Sequence, residues 1–177
     1  MIRLLISILL TILALSSNAQ AVKQRIEAFT KEQSIDTFLI YNEQCIGYIY
    51  TKDDCYPTDT HYIIWKRKKK YFIKQFETCH TSNSIRIKVA NPLSFYIANR
   101  QAIAEEEMKP AASMDHSCQY HFSLNLKGAS TTKSADEYDF TALGKEDIIN
   151  AELNQKTKFK SLIDQMLSLI AFMKTKF

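Results

Sequence analysis

The sequence predicts an α+β domain: a curved antiparallel sheet of about five to seven strands, flanked by a short N-terminal helix and packed against a long C-terminal helix. Three observations carry that expectation. Between residues 37 and 126, short runs of β-branched and aromatic residues recur with period two. An amphipathic helical pattern bounds the run at each end. Only three glycines and three prolines occur in 177 residues, which leaves little material for linkers.

Taken in order, Val22, Ile26 and Phe29 recur at i, i+4 and i+7 with Lys23, Gln24, Glu27 and Lys31 around them, predicting a helix over 22–33. Thr37–Tyr41 and Cys45–Tyr50 read as two strands joined at Asn42, Glu43 and Gln44. Lys52–Thr60 reads as a polar loop. His61–Lys66 and Lys70–Phe76 form a hairpin through Arg67, Lys68 and Lys69. Ile85, Ile87 and Val89 alternate with Arg86 and Lys88 as a half-buried strand.

Residues 91–108 carry conflicting signals. Asn91 followed by Pro92 suits a helix start, yet Leu93, Phe95 and Ile97 alternate. Glu105, Glu106 and Glu107 would also oppose the dipole at a helix C-terminus. We read the segment as strand and turn. Tyr120, Phe122, Leu124 and Leu126 alternate with His121, Ser123, Asn125 and Lys127, the clearest strand in the chain; Gly128 ends it. Asp136–Leu143 is read as a returning edge strand. From about Asn154 to Lys174, Phe159, Leu162, Ile163, Met166, Ile170 and Met173 hold one helical face, widened by Leu167, Leu169 and Phe172.

The first residues bear on compartment. Arg3 precedes an almost wholly apolar run, Leu4–Leu15, followed by Ser16, Ser17, Asn18 and Ala19. That layout reads as a signal peptide over 1–19, with 21 as the alternative end, leaving one domain over 20–177. The run is shorter than the roughly 20 residues a bilayer needs, and no cysteine follows it to take a lipid. A soluble extracytoplasmic protein, periplasmic or secreted, is the expectation.

Export sets the reading of the cysteines. Cys45, Cys55, Cys79 and Cys118 predict two disulfides with three connectivities open; locality favours Cys45–Cys55 and Cys79–Cys118. Cys79, His80, His116, Cys118 and His121 hold zinc-ligand residue types, but the spacing is poor and oxidation competes for the thiols. No metal or cofactor is expected. His121 should face away from the core, and His61 and His116 read as polar boundary residues.

The basic run Lys66–Lys70 beside Trp65 reads as a solvated hairpin tip, or as a contact for an anionic partner in which Lys68 and Lys69 carry the charge. Tyr41, Tyr48, Tyr50, Tyr56 and Tyr62 read first as sheet packing and second as a ligand surface. Asp53, Asp54, Asp59, Asp136, Glu137 and Asp139 are loop acids. A formal net charge of +4 is too mild for a nucleic-acid binder, and a glycine-dependent phosphate loop is excluded.

The chain therefore reads as a non-enzymatic binding or interaction domain. Its expected target is a protein, or an apolar or amphipathic small ligand held between sheet and C-terminal helix. Trp65, Tyr48, Tyr50, Tyr62, Lys68, Lys69 and His121 are the candidate contacts. The alternative is a small extracytoplasmic hydrolase or metal-dependent enzyme built on histidines and loop acids.

Overall fold

β-branched and aromatic side chains alternating along the chain dictate a sheet, and the computed structural model shows it. The structure describes residues 22–45, 60–88, 91–110 and 117–175. Helix α1 occupies residues 22–32. Strands β1 (Thr37–Cys45), β2 (Thr60–Arg67), β3 (Lys70–Phe76) and β4 (Ile85–Ile87) lead to helix α2 (Pro92–Glu105). Strands β5 (Cys118–Leu126) and β6 (Ala129–Asp136) precede a 3-10 turn at Glu137–Phe140, and helices α3 (Ile148–Gln155) and α4 (Lys158–Lys174) complete the chain. The strands form an open sheet in the order β4-β3-β2-β1-β5-β6, every neighbouring pair antiparallel.

Each face of the sheet has its own apolar layer. On one face, Leu39, Tyr41, Tyr62, Ile64, Ile73, Tyr120, Phe122 and Leu124 meet Leu93, Tyr96 and Ile103 of α2 and the Phe159–Met173 stripe of α4. A fully buried side chain of this size contributes about 1.5–3 kcal/mol. On the opposite face, Val22 and Ile26 of α1, with Phe29, cover Ile63, Trp65 and Phe76. β2 lies under both layers, so Tyr62, Ile63, Ile64 and Trp65 are all buried, the continuous apolar run of a doubly covered strand.

The structure corrects four expectations. β1 runs unbroken through Asn42, Glu43 and Gln44; it is a central strand between β2 and β5, and its polar residues mark a change of covering rather than a turn. Residues 46–50 lie outside the described ones. Residues 92–105 are helical: the Asn91 side chain accepts the Ser94 N–H at 3.3 Å, Pro92 opens the helix, and Leu93, Tyr96 and Ile103 turn inward. The alternation of Leu93, Phe95 and Ile97 is incidental. The return strand is Ala129–Asp136, entered through a two-residue turn at Lys127 (φ 51°) and Gly128 (φ 89°). Its small polar residues carry no apolar period. The long C-terminal helix is present as α4, opening after Thr157, whose Oγ1 accepts the Lys160 N–H, with the shorter α3 before it.

The fourth correction concerns the disulfides. Cys45 bonds Cys118, which overturns both Cys45–Cys55 and Cys79–Cys118. The two residues face each other across the β1–β5 ladder with Cα atoms 3.9 Å apart, although 73 residues separate them in sequence. Locality in sequence misleads because β5 crosses back to pair with β1. Cys79 is also disulfide-bonded, and Cys55 lies outside the described residues. Residues 1–21, where the leader was expected, lie outside them too. Among the described residues no helix is long and apolar enough to cross a membrane.

Candidate functional site

The space between the sheet and α4 is filled by Phe159, Leu162, Ile163 and Met166, each no more than 1% exposed. The ligand cleft expected there is absent among the described residues. A sizeable hollow instead lies on the opposite face, where α1 is narrower than the sheet. α1 covers β2, β3 and part of β1, and leaves the same face of β5 and β6 bare. The result is an open groove of about 1070 Å³.

Strand register builds its floor. His61, Asn42, His121 and Ser134 stand in one cross-strand row; Ile40, Ser123 and Thr132 in the next; Phe38, Asn125 and Ser130 in a third. The floor therefore grades from apolar at β1 to hydroxyl, amide and imidazole at β5 and β6. Ile26 of α1 adds to the apolar side, and Lys23 and Glu27 stand on the same wall.

Both walls are tied down by side chains. Arg25 of α1 donates through Nη1 to the carbonyls of Glu77 (2.8 Å) and Thr78 (3.1 Å), and through Nη2 to the carbonyl of His80 (3.1 Å) and the Thr81 hydroxyl. The second wall is the segment 104–108. There the Glu106 carboxylate accepts the Lys158 N–H (2.6 Å) and Phe159 N–H (2.9 Å), at the positive end of the α4 dipole. Glutamates that would oppose the α2 dipole thus include one that serves α4. Lys133 Nζ donates to the Glu106 carbonyl. Buried Asn154 holds the end of this segment, bonding both the N–H and the carbonyl of Lys109.

His121 lines this groove, as the alternation of β5 required. Its Nε2 is buried and has no hydrogen-bond partner among the described residues. The other predicted contacts are dispersed. Trp65 is 4% exposed beneath α1, stacked on Phe72 and edge-on to Phe29. Tyr62 is buried beneath α4. Lys68 and Lys69 form the exposed β2–β3 turn, and Lys68 borders a smaller hollow of about 470 Å³ with Lys66 and Tyr71. Tyr48 and Tyr50, like His116, lie outside the described residues. Sequence reasoning missed Ile26, Phe38, Ile40, Ser123, Thr132 and Ser134 as groove residues. The signal was available for β5, since the polar half of a clean alternation is itself a continuous surface.

A second polar cluster lies on the α4 face. Glu43 is half-buried near Tyr41, Tyr62, Tyr120 and Lys174. Burial pushes the Tyr41 phenol far up, with the Glu43 carboxylate adding to it. Burial also lifts Tyr62 and Tyr120 to about 12, helped by Glu77 at Tyr62 and by Glu137 at Tyr120. Glu43 itself is raised, chiefly by burial, against the opposing pull of Lys174. Its carboxylate sits beside Cys45 and Cys118, but those sulfurs are bonded to each other and are not thiolate ligands.

No family model matches the chain, and comparison with curated proteins and with solved structures likewise returns no similar protein.

Proposed function

We propose that the chain is a non-enzymatic binding domain, acting outside the cytoplasm, that holds an amphipathic small ligand in the groove beside α1. One observation carries the reading: the groove is of ligand size, about 1070 Å³, and is split lengthwise into an apolar side and a hydrogen-bonding side. A ligand's apolar body would lie over Ile26, Phe38 and Ile40. Its polar groups would meet Ser123, Thr132 and the buried Nε2 of His121, which has no partner among the described residues. Such pairing of apolar walls with a few placed polar groups is the usual composition of a small-molecule site. Disulfide-bonded Cys45, Cys79 and Cys118 suit an oxidising compartment. Among the described residues no carboxylate or hydroxyl bonds His121 Nε2 to orient it as a general base is oriented.

The test is binding of a fluorescent anilinonaphthalene sulfonate probe, with native mass spectrometry of protein purified from its own host. Ser123→Trp places bulk in the middle of the floor. It should weaken probe binding by about tenfold or more and remove any co-purifying small molecule, with thermal unfolding unchanged. Equal binding by the two proteins, or no binding by either, would sink the proposal.

A further inference from the structure

We infer that β6 pairs edge to edge with β6 of a second copy of this chain, joining two sheets across Thr132. The starting point is the direction of backbone groups. The turn at Lys127–Gly128 makes Leu126 and Ala129 a mutually hydrogen-bonded pair, and the register continues without a bulge to Gln119 and Asp136. Alternate residues of β6, Ser130, Thr132 and Ser134, therefore turn their N–H and C=O groups away from β5. The parity is confirmed at the strand's end, where the Asp136 N–H points outward and donates to Asp139 Oδ2 at 2.9 Å.

That one outward group is capped. The outward groups of Ser130, Thr132 and Ser134 have no hydrogen-bond partner among the described residues. The groove reaches them: it touches Thr132 and Ser134 on one face of β6 and Lys133 on the other, which for an outermost strand means that it opens around the free edge. Among the described residues two of the usual protections of an edge are missing. There is no proline and no bulge, and the strand's only lysine, Lys133, is drawn to the far face by the Glu106 carbonyl.

The occupant follows from the order of side chains. Ser130, Thr132 and Ser134 read the same in both directions, so an antiparallel copy centred on Thr132 sets Ser130 opposite Ser134 of the second copy and Thr132 opposite Thr132. Three pairs of residues then exchange backbone hydrogen bonds in both directions. On the other face Lys133 meets Thr131 of the second copy, so no like charges are opposed. Beyond the strand ends, Lys127 comes opposite Glu137 of the second copy. Small hydroxyl side chains let the backbones approach, and the two-fold operation closes the assembly as a dimer. The polar floors of the two grooves become continuous across the joint. That last consequence rests on the proposed binding role; the pairing itself does not.

Sedimentation velocity on the purified chain, disulfides intact, tests the pairing. The chain should reversibly dimerise. Thr132→Pro deletes an N–H that the β5 ladder does not use, and an edge strand accepts proline there. It should give a monomer with an unchanged unfolding temperature. Thr132→Lys leaves the backbone alone and sets like charges opposite each other, and should weaken dimerisation by about tenfold. Thr132→Cys should form an intermolecular disulfide on oxidation. A wild-type chain that stays monomeric at about 1 mM overturns the inference, as does a dimer unaffected by either Thr132→Pro or Thr132→Lys. Because the readout is mass, failure here is distinguishable from failure to bind the probe.

Discussion

Replacing Arg25 by methionine should loosen α1 from the sheet before it unfolds the domain. The guanidinium spans three carbonyls and one hydroxyl in the segment 77–81 and lies 5.9 Å from the Phe76 ring centroid. A charge-assisted hydrogen bond contributes about 1.5–3 kcal/mol, but these partners are only partly buried, so water can replace the donor at each. Methionine keeps most of the stem packing. The net loss should be about 2–3 kcal/mol, which for a urea slope of about 2 kcal/mol/M moves the midpoint by roughly 1–1.5 M. The reporter is built in. Trp65 is the only tryptophan and lies under α1, 5.2 Å from Phe29 between ring centroids. Arg25→Met should raise acrylamide quenching of Trp65 in native buffer while far-ultraviolet circular dichroism is nearly unchanged. Arg25→Lys should recover less than half of the loss, because one ammonium cannot reproduce the fork. A midpoint shift below about 0.3 M with Trp65 as shielded as before would refute the claim that this residue holds the groove wall.

Removing the Cys45–Cys118 bridge as the double alanine variant should cost about 4 kcal/mol at most in urea unfolding, from the 73-residue separation it closes; a loss below about 1 kcal/mol would show that the β1–β5 ladder alone constrains these ends. Glu43 has a raised pKa because it is buried, so its contribution is favourable below the ordinary glutamate value and is lost as pH rises through its own. Glu43→Gln should therefore gain stability over wild type as pH climbs from 4 to 7, and a pH-independent difference in urea midpoints would contradict this. Asn154, 1% exposed, donates to the carbonyls of Lys109 and Asp139 and accepts the Lys109 N–H. Asn154→Leu strands all three groups and should cost about 3–5 kcal/mol; thermal unfolding within about 2 °C of wild type would show that the segment 106–110 is held elsewhere.

Much of this architecture is legible in the sequence wherever a side chain's polarity reports its burial. β5 and the α4 stripe are read correctly because each faces one core and one open side, so apolar residues repeat with the period of the backbone. β2 is read as a strand over His61–Lys66, and the structure buries four of its residues in succession because helices cover both its faces. The failures have physical causes of the same kind. In β1 the covering changes partway along, so Asn42 and Gln44 look like a turn although the ladder to β2 and β5 continues. In α2 a helix of mixed exposure happens to space Leu93, Phe95 and Ile97 by two, and the cap formed by Asn91 is the better guide. For α4 only the first turn differs from the expected start at about Asn154, because the Thr157 side chain caps it. The Cys45–Cys118 pairing depends on strand order, which no local pattern encodes.

The missed site and the missed strand share one cause, and it links the two proposals. Periodicity finds residues that leave water. β6 is Ala-Ser-Thr-Thr-Lys-Ser-Ala-Asp, with almost nothing to bury, and the groove floor on β5 is the half of the alternation that is not core. A strand with no apolar face gains little from packing; its place is set by the ladder to β5, and its outer groups are left facing solvent. A purely structural edge would be expected to carry charge or proline there. Instead β6 offers three outward backbone pairs flanked by hydroxyls, beside a groove in which His121 Nε2 is buried and, among the described residues, unpaired. Dimerisation through β6 and ligand binding at His121 answer separate observations, so each can fail alone. If Thr132→Pro yields a monomer that still binds the probe with unchanged affinity, the groove is complete in one copy and the shared floor adds nothing. Thr132 itself lines the groove, so a weakened variant assigns a role to hydroxyls of the second copy only where wild-type binding also weakens on dilution below the dimer's dissociation constant.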